Sequence, residues 1–189
     1  MPATRTYQLF DFLAAMLAWA LFFLYRKWLE GIPPGLSALN DLNFFYGILI
    51  IPVGWHLFYS LFDDYGSVYR MSRLATLSRT FFLSFFGVVF LFFSLILDVF
   101  LRDYKTYYTS FGVLFGLHFL LTATVRMVLL TRAHRRVQSG EVSFPTLLVG
   151  DGERAGDLYQ EPVSMKKKPG YRFVGYVSVT EGRPPFGQL

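Results

Sequence analysis

Four long runs of apolar side chains, parted by short polar connectors, dominate the first two thirds of the chain. They are Tyr7–Tyr25 (broken by Gln8 and Asp11 near its start), Phe44–Phe62, Phe81–Leu101 and Phe111–Leu130. Crossing the hydrocarbon core takes about 20 mostly apolar residues at ~1.5 Å of rise each, so each run predicts a transmembrane helix. The connectors carry stop chemistry: Gly31-Ile32-Pro33-Pro34-Gly35 cannot continue a helix, and Asp63-Asp64-Tyr65-Gly66 ends the second run in the same way. Pro52 removes a backbone donor inside the second run and predicts a kink there.

Beyond Leu130 the pattern changes. Thr146–Val149 reads as a short buried parallel strand, Gly150–Gly156 as a strand-to-helix junction, and Tyr171–Val179 as a second strand. The expected architecture is a four-helix transmembrane bundle over residues 1–131, followed over 132–189 by the start of a Rossmann-like α/β cytoplasmic domain. Two strands and a helix do not complete a doubly wound sheet, so the sequence reads as truncated inside that domain.

Composition supports the membrane reading. Of 189 residues, 53% are hydrophobic, 20% aromatic and only 16% charged, against roughly 25% charged in a soluble domain. Buried helices of a large soluble core would need more polar sequence to cover them. A cleaved signal peptide is excluded because the first run is too long and is followed by Arg26, Lys27 and Trp28. The absence of Cys excludes a disulfide scaffold, a Cys-ligated zinc site and a thiol nucleophile.

Positive charge in short loops sets orientation. Arg5, Arg70, Arg73, Arg79, Arg132, Arg135 and Arg136 fall on one side, and Arg26, Lys27, Arg102 and Lys105 on the other, offset by Glu30, Asp41 and Asp103. The chain is therefore expected in a bacterial inner membrane with both termini in the cytoplasm. Trp28, Tyr65, Tyr69, Tyr104, Tyr107 and Tyr108 lie where interfacial aromatic anchors belong.

Few polar groups fall within the spans: His56, Asp98, His118 and Arg126. Such groups invite a proton-relay reading, yet they form no path legible from sequence. Asp98 sits near a span end, Arg126 is placed to snorkel to the cytoplasmic surface, and His118 has no partner that the sequence identifies. The second connector, Ser67–Arg79, predicts a short amphipathic helix lying along the membrane, with Arg70, Arg73 and Arg79 offered to anionic lipid headgroups.

The tail motif Gly150-x-Gly152-x-x-Ala155, with Gly156 next, approaches the dinucleotide fingerprint. Gly150, Gly152 and Gly156 are thus the candidate cofactor-binding positions. The acid expected about 20 residues on is misplaced, since the second strand ends near Thr180-Glu181, so a backbone role for these glycines is expected.

This succession resembles the N-terminal half of the large membrane-bound polyprenyl-phosphate phosphoglycosyl transferases, the sugar transferases that initiate bacterial exopolysaccharide and capsule synthesis. The matching stretches are Tyr69-Arg70-Met71-Ser72-Arg73-Leu74, Asp103-Tyr104-Lys105-Thr106-Tyr107-Tyr108, Leu117-His118-Phe119-Leu120-Leu121, Thr146-Leu147-Leu148-Val149-Gly150 and Gly170-Tyr171-Arg172-Phe173-Val174-Gly175-Tyr176. The resemblance implies transfer of a sugar-1-phosphate from a nucleotide sugar to undecaprenyl phosphate. It assigns that chemistry to a C-terminal domain with an adjacent Asp-Glu pair and bound magnesium. No Asp-Glu or Glu-Asp dipeptide occurs here, so no catalytic residue carries over. These residues then correspond to the non-catalytic membrane and regulatory portion, with no cofactor of its own. Its expected partners are the lipid bilayer and its anionic headgroups, with polyprenyl phosphate and nucleotide sugar for the full-length protein. A homo-oligomer is open to it, and nucleic acid is not expected.

Two other classes share parts of this pattern. A channel or transporter with a cytoplasmic nucleotide-sensing domain also joins spans to a Gly-rich β-α-β, but no filter-like loop lies between these spans. A free-standing membrane scaffold protein is the third.

Overall fold

The computed structural model describes residues 2–32, 35, 41–62, 68–96, 104–149 and 170–177. Four helices come first: α1 (Pro2–Leu29), α2 (Leu42–Leu61), α3 (Arg73–Leu91) and α4 (Tyr104–Gln138). A single 3-10 turn, Val68–Arg70, precedes α3, which continues into one π-helical turn at Phe92–Ile96. Two strands follow, β1 (Phe144–Val149) and β2 (Tyr171–Val177). The chain divides into two compact units, residues 1–130 and 131–189.

Each helix is long and apolar enough to cross a bilayer, over Thr4–Leu29, Leu42–Leu61, Arg73–Ser94 and Lys105–Gln138. α1 ends where Gly31 takes φ +82°. There Ile32 N–H donates to the Lys27 carbonyl and Gly31 N–H to that of Trp28, each at 3.0 Å, which closes the orphan carbonyls in a Schellman arrangement. α2 begins at Asp41, whose carboxylate accepts the Asn43 N–H at 2.9 Å. It then runs through Pro52 as continuous helical backbone. Gly140, also at φ +82°, stops α4.

The expected in-plane helix over Ser67–Arg79 is not formed. Arg73 to Arg79 are instead the first two turns of α3, continuous with the span. Without a breaker between Arg73 and Phe81, extending a helix already nucleated costs less than starting a second one at an angle. The third span accordingly starts earlier than the apolar run, and the fourth helix overshoots Phe111–Leu130 at both ends, since neither Tyr104–Ser110 nor Thr131–Gln138 contains a Gly or Pro to break it. Asp63–Gly66 and Asp98 lie outside the described residues.

Small side chains let the helices approach. A Cβ on Gly47 of α2 would collide with the Trp19 indole of α1, and one on Gly87 of α3 with the Trp55 ring of α2. α3 and α4 pack through a ladder of edge-on phenylalanines: Phe81 on Phe119 and Phe115, Phe85 on Phe115 and Phe111, Phe92 on Phe111, with centroids 5.5–6.1 Å apart. Numbers rise on α3 as they fall on α4, so the two run antiparallel.

The bundle is inverted relative to a soluble protein. Leu49, Leu57, Phe86, Phe90 and Leu120 are more than half exposed, whereas Asp11, Thr80, Ser84, Ser110, His118, Thr122 and Arg126 are buried. Water would reverse that arrangement; a hydrocarbon solvent favours it.

In the second unit β1 and β2 pair in parallel, Phe144 opposite Tyr171 and Val149 opposite Val177, with an irregularity after Thr146 that passes over Val174. Gly170, at φ +87°, leads into β2 and accepts the Phe144 N–H at 2.7 Å. β1 is not the buried strand expected from its apolar run: Leu148 is buried, while Leu147 and Val149 on the other face are more than half exposed. A parallel pair requires a crossover, which fits the α/β reading. The crossover, residues 150–169, lies outside the described residues, so what the described residues show is a two-stranded parallel sheet, not a Rossmann-like domain.

Candidate functional site

One face of α4 repeats every fourth residue as Ser110, Leu114, His118, Thr122, Arg126 and Leu130, all buried. On a helix this spacing makes a single ridge, here largely polar and turned into the bundle. Arg126, with no exposed surface, donates from Nε to Asp11 Oδ1 at 3.0 Å and from Nη2 to Asp11 Oδ2 at 2.6 Å. Its remaining terminal nitrogen, Nη1, donates to Thr80 Oγ1 at 2.9 Å. The guanidinium carbon lies 4.4 Å from the Tyr59 ring centroid and 5.3 Å from that of Tyr7.

Arg126 therefore meets side chains from all three other helices: Tyr7 and Asp11 of α1, Tyr59 of α2 and Thr80 of α3. A planar fork suits this, since its edge pairs a carboxylate bidentately while its face stacks on aromatic rings. The Thr80 hydroxyl donates a hydrogen bond to the Thr76 carbonyl at 2.7 Å, leaving its lone pairs for the guanidinium. The same Tyr59 shares a hydrogen bond of 2.9 Å between its Oη and His118 Nε2. The His118 ring stacks on Trp55 with centroids 3.7 Å apart.

Arg126 does not snorkel. A counter-charge at the same depth satisfies the guanidinium where it stands, and reaching the surface would strand Asp11 in the bundle. His118 likewise has partners, Tyr59 and Trp55. Asp11 was the residue that sequence reasoning passed over. The available signal was its depth: Asp11 lies just inside the start of the first span and Arg126 just before the end of the fourth, which in an antiparallel bundle is one level.

Asp11, Tyr59, Thr80, His118 and Arg126 are each no more than 2% exposed. Such a site is a closed, charge-balanced clamp; a relay would need contact with water at one end at least. Among the described residues no group of three His, Asp or Glu side chains is placed to hold a metal ion.

Of the residues proposed for lipid headgroups, Arg73 and Arg79 are exposed on the first two turns of α3 and Arg70 ends the 3-10 turn. Six residues apart at about 100° each, Arg73 and Arg79 point roughly 120° apart, so they do not converge on one headgroup. Gly150, Gly152 and Gly156 lie outside the described residues.

Fold and site together define a four-span membrane protein whose helices are tied by an intramembrane Asp–Arg clamp and which continues into a parallel β pair. No protein-family model, curated protein or solved structure matches the chain.

Proposed function

We propose that the chain is the non-catalytic membrane and regulatory portion of an undecaprenyl-phosphate sugar phosphotransferase, one that initiates exopolysaccharide or capsule assembly at a bacterial inner membrane. The observation that carries this reading is the order of parts. Four apolar helices are followed by an Arg-rich helix end and then by two parallel strands that bracket Gly150–Gly156. The closed clamp around Arg126 supports a scaffold in preference to an ion path, because its charges cancel and none faces an aqueous route.

In this reading both termini are cytoplasmic. Arg70, Arg73 and Arg79 meet anionic headgroups at the cytoplasmic surface, and the glycine-rich turn serves backbone geometry. Nucleotide sugar, polyprenyl phosphate and magnesium belong to a catalytic domain of the full-length protein. Supplied with a radiolabelled nucleotide sugar and undecaprenyl phosphate, the full gene product purified from native membranes is expected to form a lipid-linked sugar phosphate. Residues 1–189 alone are expected to form none. Failure of the full product with a panel of nucleotide sugars, or turnover by residues 1–189, overturns the reading.

A further inference from the structure

Phe85 of α3 lies against both Phe111 and Phe115 of α4, with ring centroids 6.1 and 6.0 Å away. Each of these rings is preceded by a buried residue: Ser84 before Phe85, Ser110 before Phe111 and Leu114 before Phe115. One residue is about 100° of helix, and the two helices run antiparallel. Stepping back one residue therefore turns both side chains to the same side of the α3–α4 seam, away from the ring ladder and into the bundle. Ser84 thus shares its level with Ser110 and Leu114. Neither serine has any exposed surface.

Protein groups do not satisfy this pair of hydroxyls. Neither Ser84 Oγ nor Ser110 Oγ has a hydrogen-bond partner among the described residues. Other hydroxyls on the same two helices behave differently: Thr76, Thr80 and Thr109 each donate to the carbonyl four residues back, at 2.7–2.9 Å. A helix offers that acceptor at every turn. Two hydroxyls at one level that both forgo it are left for a partner between the helices. Their surroundings are apolar, with Val88 one turn along α3, Leu114 one turn along α4, and the Trp55 ring of α2 closed over Gly87. An unbonded hydroxyl is costly in such a place. An ion is no remedy, since two neutral hydroxyls offer it no counter-charge. Water fits, because it donates and accepts, as each serine hydroxyl also does.

We infer that Ser84 and Ser110 hold one internal water molecule that bridges α3 to α4 inside the bundle. The bridge gives the two helices a polar tie at a depth where the ring ladder supplies only apolar contact. Thr122, also buried and unpartnered among the described residues, is three turns along α4 from Ser110, about 18 Å of helix, and lies outside the site. The site belongs to the bundle itself and is independent of the transferase reading.

Residues 1–189 carrying carbon-13 serine and alanine are reconstituted in phosphatidylcholine bilayers and read by solid-state NMR, with magnetisation transferred from water to carbon. Ser84 and Ser110 are expected to receive it although neither is exposed, while the similarly buried Ala15 and Ala18 of α1 receive none. Ser84→Ala should abolish the transfer at Ser110, and Ser110→Ala should abolish it at Ser84. Transfer to neither serine in the wild-type chain would overturn the site, with each hydroxyl turned onto its own helix. Transfer that persists at one serine when the other is replaced would overturn the bridge. Thermal unfolding in mild detergent gives a second reading: the S84A/S110A double variant should melt no lower than the less stable single variant, and additive losses would overturn the shared water. Because the first comparison is made on the unaltered protein, the test stands even if a variant fails to fold.

Discussion

Arg126 and Asp11, 115 positions apart, meet through two parallel hydrogen bonds of 3.0 and 2.6 Å inside a bundle where neither is more than 2% exposed. The pair joins the first helix to the last and sets their relative height. With Thr80 and Tyr59 on the same guanidinium, it fixes the register of all four helices at one level.

Removing one partner should cost far more than removing both. Arg126→Ala leaves Asp11 buried without its counter-charge and is expected to lower stability by about 3–5 kcal/mol. The double variant D11L/R126L should recover most of that loss, since a buried pair and an apolar replacement of similar volume are often close in free energy. Thermal unfolding in mild detergent measures both, and equal losses in the single and double variants would show that the pair is not a coupled unit.

Gly47 and Gly87 should be intolerant of a methyl group, while Gly116 should accept one. Gly47→Ala presses on Trp19 and Gly87→Ala on Trp55, at a cost of about 1–3 kcal/mol each. At Gly116 the added Cβ meets nothing within 4 Å, so Gly116→Ala should be neutral or stabilise the helix by up to ~1 kcal/mol. The same unfolding assay ranks the three.

Asp41, just ahead of α2, gives this end of the bundle a defined acid response. Lys27, and then the Asn43 N–H, hold its carboxyl below the usual carboxylate range. A depressed carboxyl contributes stability that is present above its unfolded pKa of about 3.9 and is lost as pH falls through the lower folded value. Melting temperatures followed from about pH 6 to pH 2 should therefore fall less steeply for Asp41→Asn than for the wild type. Identical slopes would mean that the Lys27 contact is not populated.

Cysteine placement tests orientation directly, because the chain has no thiol of its own. Cysteines at Ser72 and Ser139 should resist an impermeant maleimide in intact cells and react in inverted membrane vesicles. Labelling in intact cells would reverse the N-in, C-in topology.

The sequence by itself determined the number of spans and the approximate place of each, because length and hydropathy are properties of a continuous segment and the bilayer imposes its thickness on all of them alike. Gly31 was legible as a stop for the same local reason, and so were the two strands, within two residues at each placed end. What the sequence could not decide was how segments continue and what they meet. The basic run Arg73–Arg79 has the composition of a surface helix, and only its covalent continuity with Phe81 made it the start of α3. Gly47 and Gly87 look alike to Gly116 along the chain; the rings of Trp19 and Trp55, brought up by neighbouring helices, separate them. Asp11 reads as a blemish at the start of a span and Arg126 as a residue bound for the surface. Tertiary structure made them one clamp, because in a medium without water two opposite charges at one depth satisfy each other, and depth becomes shared only once the helices have packed.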